Sequence, residues 1–292
     1  MTGKVIIIAE VGECWNGDRK QAQKLIQVAA SAGCDYVKFQ TLDTDTVKDN
    51  DPEKEWFLKV ALTEEMIDFI IKFSKKNSIK PLFTPANLKK AMMLKDGFKL
   101  SEVKIASSVA HDSQTVRYAA KNFKRVFLST GLSSLEEIKN MVRFFDKNKR
   151  TQLYLLHCIS EYPTGPLLKK RGLLPLAPED VHLNMMLMLK ELFPQYGIGY
   201  SDHTVSILPS ICAVAAGAKV IEKHITLDRN KPAKLFKNKT GYLGTDHVLS
   251  LEPSELRNMV GQIRQVEKIL GPEKWERTSG EKMLKKFLIG RF

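Results

Sequence analysis

The 292-residue sequence predicts an α/β protein built as one (β/α)8 barrel of the TIM type, a single domain. Three observations carry that expectation. Eight short apolar runs alternate with longer amphipathic segments, the pattern of parallel βαβ units. The length suits a barrel, which typically takes about 250 residues. Polar residues fall at the C-terminal ends of strands from throughout the chain, whereas an open doubly wound sheet would gather its site at one switch point.

The first strand is expected at Val5–Ala9, followed by a helix over Arg19–Ala32 that Asp18 caps and Gly33 closes. A second strand, Tyr36–Gln40, leads to a helix over Glu64–Lys76, with Thr63 placed to cap it and two acids in its first turn. Three more units follow: Lys80–Thr84 with Leu88–Lys95, Glu102–Ala106 with Ser113–Asn122, and Arg125–Ser129 with Leu135–Asn148. The sixth and seventh strands, Gln152–His157 and Tyr196–Tyr200, are paired with helices over Pro178–Phe193 and Ile207–Ala216. The eighth strand is Val220–His224, and a last helix covers Glu252–Leu270. The barrel is expected to occupy 1–275, with 276–292 as a C-terminal tail.

Composition removes several function classes. No segment approaches the roughly 18 apolar residues that span a membrane. The N-terminal apolar run is too short for a secretory signal and reads better as a strand. Cys14, Cys34, Cys158 and Cys212 are scattered without a CxxC pair, as in reduced cytosolic thiols, so a cytoplasmic protein is expected. The net charge of +13 is spread along the chain, densest at Lys231, Lys234, Lys237 and Lys239. Such a distribution suits a solvated surface or small anionic substrates, and neither nucleic acid nor a membrane is expected as a partner.

Strand ends carry the chemistry, because all eight strands of a barrel point at one rim. Period-two alternation turns Tyr36, Lys38 and Gln40 to one face of the second strand, and Lys104 and Ala106 to one face of the fourth. Two lysines thus enter one barrel mouth, where buried ammonium groups require counter-charge. Internal carboxylates, Glu10 and Glu222, would supply it; so would an anionic ligand. Hydroxyls surround them: Thr84, Ser107, Ser108, Ser129, Thr130, Ser160 and Ser201 all stand at or just past strand ends. Together with two lysines, that ring suits a phosphate and a carboxylate. His203 and His224 end the seventh and eighth strands, and neighbouring strands lie about 5 Å apart. Both imidazoles can therefore reach one ion, for which manganese, iron and zinc are candidates. His111 and His157 are weaker candidates, with no partner nearby in the sequence to complete a site.

Across nearly its whole length the chain resembles the N-acetylneuraminate (sialic acid) synthase family. The stretches IIIAEVG with Asn16-Gly17-Asp18, DYVKFQ, KIASS, LSTG, LLHCISEYPT, GYSDHT, VIEKHITLDR, GTDH and SLEP carry the resemblance in order. It implies condensation of phosphoenolpyruvate with N-acetylmannosamine or a related amino-sugar aldose. A divalent ion, manganese with magnesium or cobalt as alternatives, would sit on His203 and His224. Phosphoenolpyruvate would be held at Lys38, Thr84, Lys104, Ser107, Ser129, Ser160 and Ser201. Glu10 would stand near the reacting carbons, Tyr162 and Asp246 at the sugar, and Gln40 along the wall.

Departures from the family pattern fall on the sugar side. Val109 stands where relatives place an acid, and Trp15 replaces a histidine. Asn230–Gly244 is long and basic. Relatives also carry a C-terminal antifreeze-like domain that lends an arginine across a dimer, and no matching stretch follows the last barrel helix. The sequence therefore leaves open pseudaminic- or legionaminic-type acceptors, a shorter ulosonate, and a barrel that binds without turnover. A homodimer through the barrels is the expected assembly.

Overall fold

Eight parallel strands form the centre of the computed structural model, which describes residues 4–291 apart from 48, 50–53, 149, 164–166, 168, 169, 171, 173 and 231–243. They are β1 (Ile6–Glu10), β2 (Tyr36–Thr41), β3 (Lys80–Pro85), β4 (Glu102–Ile105), β5 (Arg125–Ser129), β6 (Gln152–Cys158), β7 (Gly197–Asp202) and β8 (Val220–His224). The ladder runs β3-β2-β1-β8-β7-β6-β5-β4, so the first strand pairs with the last. β3 packs beside β4 and completes the ring. The expected barrel is the observed architecture.

The helices are α1 (Arg19–Ser31), α2 (Lys54–Val60), α3 (Glu64–Lys76), α4 (Leu88–Met92), α5 (Ser113–Asn122), α6 (Leu135–Asp146), α7 (Leu183–Leu192), α8 (Leu208–Ala215), α9 (Pro253–Leu270) and α10 (Ser279–Leu288). Asp18 and Thr63 accept hydrogen bonds from the first-turn amides of α1 and α3, the caps the sequence promised. Among the described residues, no helix is long and apolar enough to cross a membrane.

Several boundaries differ from expectation, each for a local reason. The helix expected over Pro178–Phe193 is a 3-10 turn, Pro178–Asp180, then α7. Between them His182 is left-handed (φ 50°), and the Val181 carbonyl is taken by His157 Nε2 at 2.8 Å instead of a helical amide. The helix expected over Leu88–Lys95 widens after Met92 into a π turn, Met93–Gly97. Strand β7 runs to Asp202 because its ladder with β8 continues to Lys223. α2 and α10 were not expected: α2 follows a charged stretch, and α10 lies within the expected tail. A capping box of Thr278 and Glu281 starts α10, none of whose residues is buried. The basic stretch with Lys231, Lys234, Lys237 and Lys239 lies outside the described residues.

Alternation divides the strand side chains between two cores. Val37, Phe39 and their outward-facing equivalents pack under the helices in one continuous shell, which also buries Trp15 and Val109. Inside the ring, Ile8, Tyr36, Leu82, Phe127, Leu156 and Val220 make a separate plug. Phe127 meets Tyr36 edge-on at 5.6 Å and stacks on Tyr154 at 5.3 Å. Arg125 closes the end beneath them through Tyr36 Oη (2.7 Å) and Glu102 (3.0 Å). With the N-terminal end filled, the next inward residues face the C-terminal mouth. Gly199 makes room for this plug: a Cβ there would stand 2.5 Å from the Val220 carbonyl and 2.6 Å from Leu156 Cδ2. Gly199→Ala is expected to cost about 1–3 kcal/mol by overpacking, read as a lowered thermal midpoint.

Candidate active site

One layer above the plug, four charged side chains meet. Glu222 from β8 pairs with Lys38 of β2 at 2.7 Å and with Lys104 of β4 at 3.4 Å. Lys38 also lies 3.2 Å from Glu10 of β1 and donates to the Thr84 hydroxyl at 3.0 Å. Glu10 in turn accepts from Gln40 Nε2 at 2.8 Å. All four charged groups are at least 96% buried. They meet because each turns inward from its strand: β8, β1 and β2 are consecutive in the ring, and Lys104 reaches Glu222 from β4 across its interior.

Burial and charge act on these groups in different senses. Burial pushes the Glu10 carboxyl up, and the Glu222 charge adds to it against the pull of Lys38; the result is about 7. Glu222 is buried as deeply, yet two ammonium groups and the Ser201 hydroxyl hold it well below the usual carboxylate range. Burial opposes the charge on Lys38, but Glu10 and Glu222 outweigh it and raise that ammonium above its ordinary value. Lys104 has less counter-charge, so burial, with the repulsion of Lys38, holds it below its ordinary value. The two carboxylates thus differ: Glu222 stays ionised while Glu10 is poised near neutrality.

Hydroxyls line the same space. Ser107 and Ser160 are hydrogen-bonded to each other at 2.7 Å. Ser129 is buried, and its hydroxyl has no hydrogen-bond partner among the described residues. Both sequence readings of the lysines therefore leave a trace. Internal carboxylates do neutralise them, and the Ser129 hydroxyl remains as a donor that a ligand can use.

At the rim, His203 and His224 stand with ring centroids 5.4 Å apart. His203 Nδ1 lies 2.8 Å from the Ile159 carbonyl, so Nδ1 carries a proton, and Nε2 faces the mouth. Burial opposes a charge on this ring, but Cys158 and that carbonyl outweigh it and raise the imidazole above its ordinary value, so an ion would displace the Nε2 proton. Both Nε2 atoms converge on the Tyr162 hydroxyl, at 2.7 Å and 3.5 Å. His224 is buried and held well below its ordinary value by that burial and by His203, so it is neutral. Two neutral-capable imidazoles aimed at one oxygen position fit a divalent ion with open coordination places. Among the described residues, no three His, Cys, Asp or Glu side chains form an ion cage by themselves. Asp246 Oδ2 lies 3.8 Å from His224 Nδ1 and accepts from the Glu13 amide at 2.9 Å.

The structure thus gathers Glu10, Lys38, Gln40, Thr84, Lys104, Ser107, Ser129, Ser160, Tyr162, Ser201, His203, His224 and Asp246 around one mouth. His157 and His111 stand apart. His157 is stacked on Tyr200 in the outer shell, and His111 faces Glu137 on the surface. Sequence reasoning treated Glu222 only as a counter-charge, whereas it is the hub of the cluster. It also passed over Cys158, whose sulfur lies 3.3 Å from Ser160 Oγ and 3.7 Å from His203 Nδ1. The alternation Tyr154, Leu156, Cys158 along β6 was the available signal. In GYSDHT, Asp202 faces outward: it pairs with Lys223 at 2.9 Å and accepts from Ser210 of α8 at 2.7 Å.

Comparison with known proteins agrees with this geometry. The NeuB family model matches residues 25–274. An N,N'-diacetyllegionaminic acid synthase of Campylobacter jejuni is 36% identical over 287 residues, covering 92% of this chain and 78% of that protein. A pseudaminic acid synthase of the same species is 31% identical, covering 99% and 80%. The crystal structure of an N-acetylneuraminic acid synthetase from Leptospira borgpetersenii, in complex with citrate, superposes with a TM-score of 0.84 at 30% identity, covering 98% of this chain and 92% of that one.

Proposed function

The chain belongs to the NeuB family, and on that premise we propose that it is a transferase making a nonulosonic acid. It condenses phosphoenolpyruvate with N-acetylmannosamine or a related acetamido aldose, with water, and releases phosphate. The observation that carries this reading is the barrel mouth itself. Two buried lysines and a ring of hydroxyls stand beside a pair of convergent imidazoles. A trianionic enol phosphate and an aldehyde need those two halves side by side.

Lys38 and Lys104, with Thr84, Ser107, Ser129, Ser160 and Ser201, hold the phosphate and carboxylate so that the methylene carbon faces the acceptor. Gln40, Tyr162 and Asp246 line the acceptor side. A divalent ion on His203 and His224, manganese in our reading with magnesium or cobalt as alternatives, supplies Lewis acidity at the aldehyde oxygen. The methylene carbon bonds to the aldehyde carbon, and the aldehyde oxygen ends as a hydroxyl whose added proton is, in net, the one that the attacking water gives up. Water adds to the former enol carbon, and the C–O bond to phosphate breaks with its electron pair leaving on phosphate. Glu10, poised near neutrality, takes the proton that the water loses. The ammonium groups stabilise the anionic ligand throughout.

In the same reading the barrel, residues 1–275, carries the reaction, while 276–292 lie outside it. Phosphoenolpyruvate is a cytosolic metabolite, so the reading is of a cytoplasmic enzyme, assembled as a barrel-to-barrel homodimer that light scattering would reveal. The deciding experiment is phosphate release from phosphoenolpyruvate with manganese and a panel of acceptors: N-acetylmannosamine, its 6-phosphate, two diacetamido dideoxyhexoses and arabinose 5-phosphate. The expected result is aldose-dependent release that a chelator abolishes, and the responding sugar names the acceptor class. Folded, metal-loaded protein that releases phosphate with none of them would overturn the proposal in favour of a binding-only barrel.

A further inference from the structure

The loop after β1 is tied to the rim by a side chain that the reaction does not use. Trp56 of α2 is 5% exposed, and its Nε1–H donates to Glu13 Oε2 at 2.8 Å. The same indole lies against Gly244, at the start of the turn that carries Asp246. Gly244 is left-handed (φ +56°), and a Cβ there would stand 2.7 Å from Trp56 Cζ2. One residue before Glu13, Gly12 is also left-handed (φ +49°), and a Cβ there would fall 2.1 Å from Asp246 Oδ2. The Glu13 amide completes the contact with its 2.9 Å hydrogen bond to that oxygen. The β1 loop therefore approaches Asp246 closer than a side chain on Gly12 would permit, Trp56 approaches the turn closer than a side chain on Gly244 would permit, and the indole bonds to the loop through Glu13.

We propose that Trp56 and Glu13 are positioning residues for the acceptor: the indole–carboxylate clasp holds the β1 loop against the Gly244–Asp246 turn and so sets where Asp246 stands beside His224. The inference rests on the synthase reading above, in which Asp246 lines the acceptor side. The contacts of the clasp named above run to Gly244 and to Asp246. Its loss acts through Asp246, 3.8 Å from His224, and so on one substrate and not the other.

The test is steady-state kinetics of the manganese-loaded full chain, with phosphoenolpyruvate and the acceptor that responds in the panel, on Trp56→Phe, Trp56→Ala, Glu13→Ala and Glu13→Gln. Trp56→Ala is expected to raise the acceptor KM about tenfold while the phosphoenolpyruvate KM stays within twofold. Trp56→Phe and Glu13→Ala each remove the hydrogen bond but keep the packing, so smaller, equal rises of about threefold are expected. The Trp56→Phe/Glu13→Ala double variant should be no worse than either single, and Glu13→Gln, which still offers an acceptor oxygen, should restore the wild-type value. Equal shifts in both KM values, or none in either, would overturn the proposal. If Trp56→Ala does not fold, the Phe and Glu13 variants decide alone. A wild-type chain with no aldose-dependent release defeats the synthase reading and the acceptor role with it. The clasp itself is then judged separately, by whether Trp56→Phe lowers hydrogen-exchange protection of the Glu13 amide.

Discussion

Glu222→Ala is expected to lower the unfolding free energy by about 3–5 kcal/mol, because it strands the buried Lys104 ammonium and takes one of the two carboxylates from Lys38. Glu222 is the carboxylate that both Lys38 and Lys104 share, at 2.7 and 3.4 Å. Glu10 is left near Lys38 alone, at 3.2 Å. Lys104 then keeps its bond to the Ile105 carbonyl, at 3.1 Å, and no ion pair among the described residues. Urea unfolding of the wild type and the variant measures the loss directly. A Lys104→Met/Glu222→Leu double variant removes a charge of each sign, leaves Lys38 with Glu10, and is expected to recover most of it. A loss below about 1 kcal/mol for the single variant would mean that solvent reaches these lysines, and the buried-cluster account would fail.

Glu10→Gln is expected to reduce kcat by about 10²–10⁴-fold while leaving the phosphoenolpyruvate KM nearly unchanged. The amide keeps the size and the hydrogen bond with Gln40, so the change isolates the proton-accepting role. Burial and the Glu222 charge push the Glu10 carboxyl up to about 7. A base must be deprotonated to act, so wild-type kcat should rise with pH through about 7 and level off above it. The Gln variant should lack that limb. A variant that keeps the same acid limb would assign the limb to another group and remove Glu10 from the proton step.

The mouth was readable in the sequence because strand alternation is a local property. Lys38 and Gln40 share a parity, and so do Leu156 and Cys158. Two histidines at consecutive strand ends had to be neighbours once the barrel closed. Pairings between distant strands were not readable. Glu222 is 184 residues from Lys38 in the chain, and nothing local says that it stands between that lysine and Lys104. Trp56 and Glu13 were invisible for the same reason: a short helix after a charged stretch has no periodicity to announce it. His182 shows the opposite error, in which a good helical pattern is broken because a distant side chain, His157, takes the Val181 carbonyl.

The sequence by itself determined the eight-unit barrel, the rim on which the polar residues stand, and the chemical types gathered there. Periodicity, caps and glycine stops depend on neighbours a few residues apart, and these a single chain displays in its order. Only the tertiary structure decided which carboxylate serves both lysines, which of the two acids is poised near neutrality, and what holds Asp246 at the acceptor side. Those outcomes depend on burial and on distances between strands and loops far apart in the chain. Energies of that kind exist only once the ring has closed and water has left its interior.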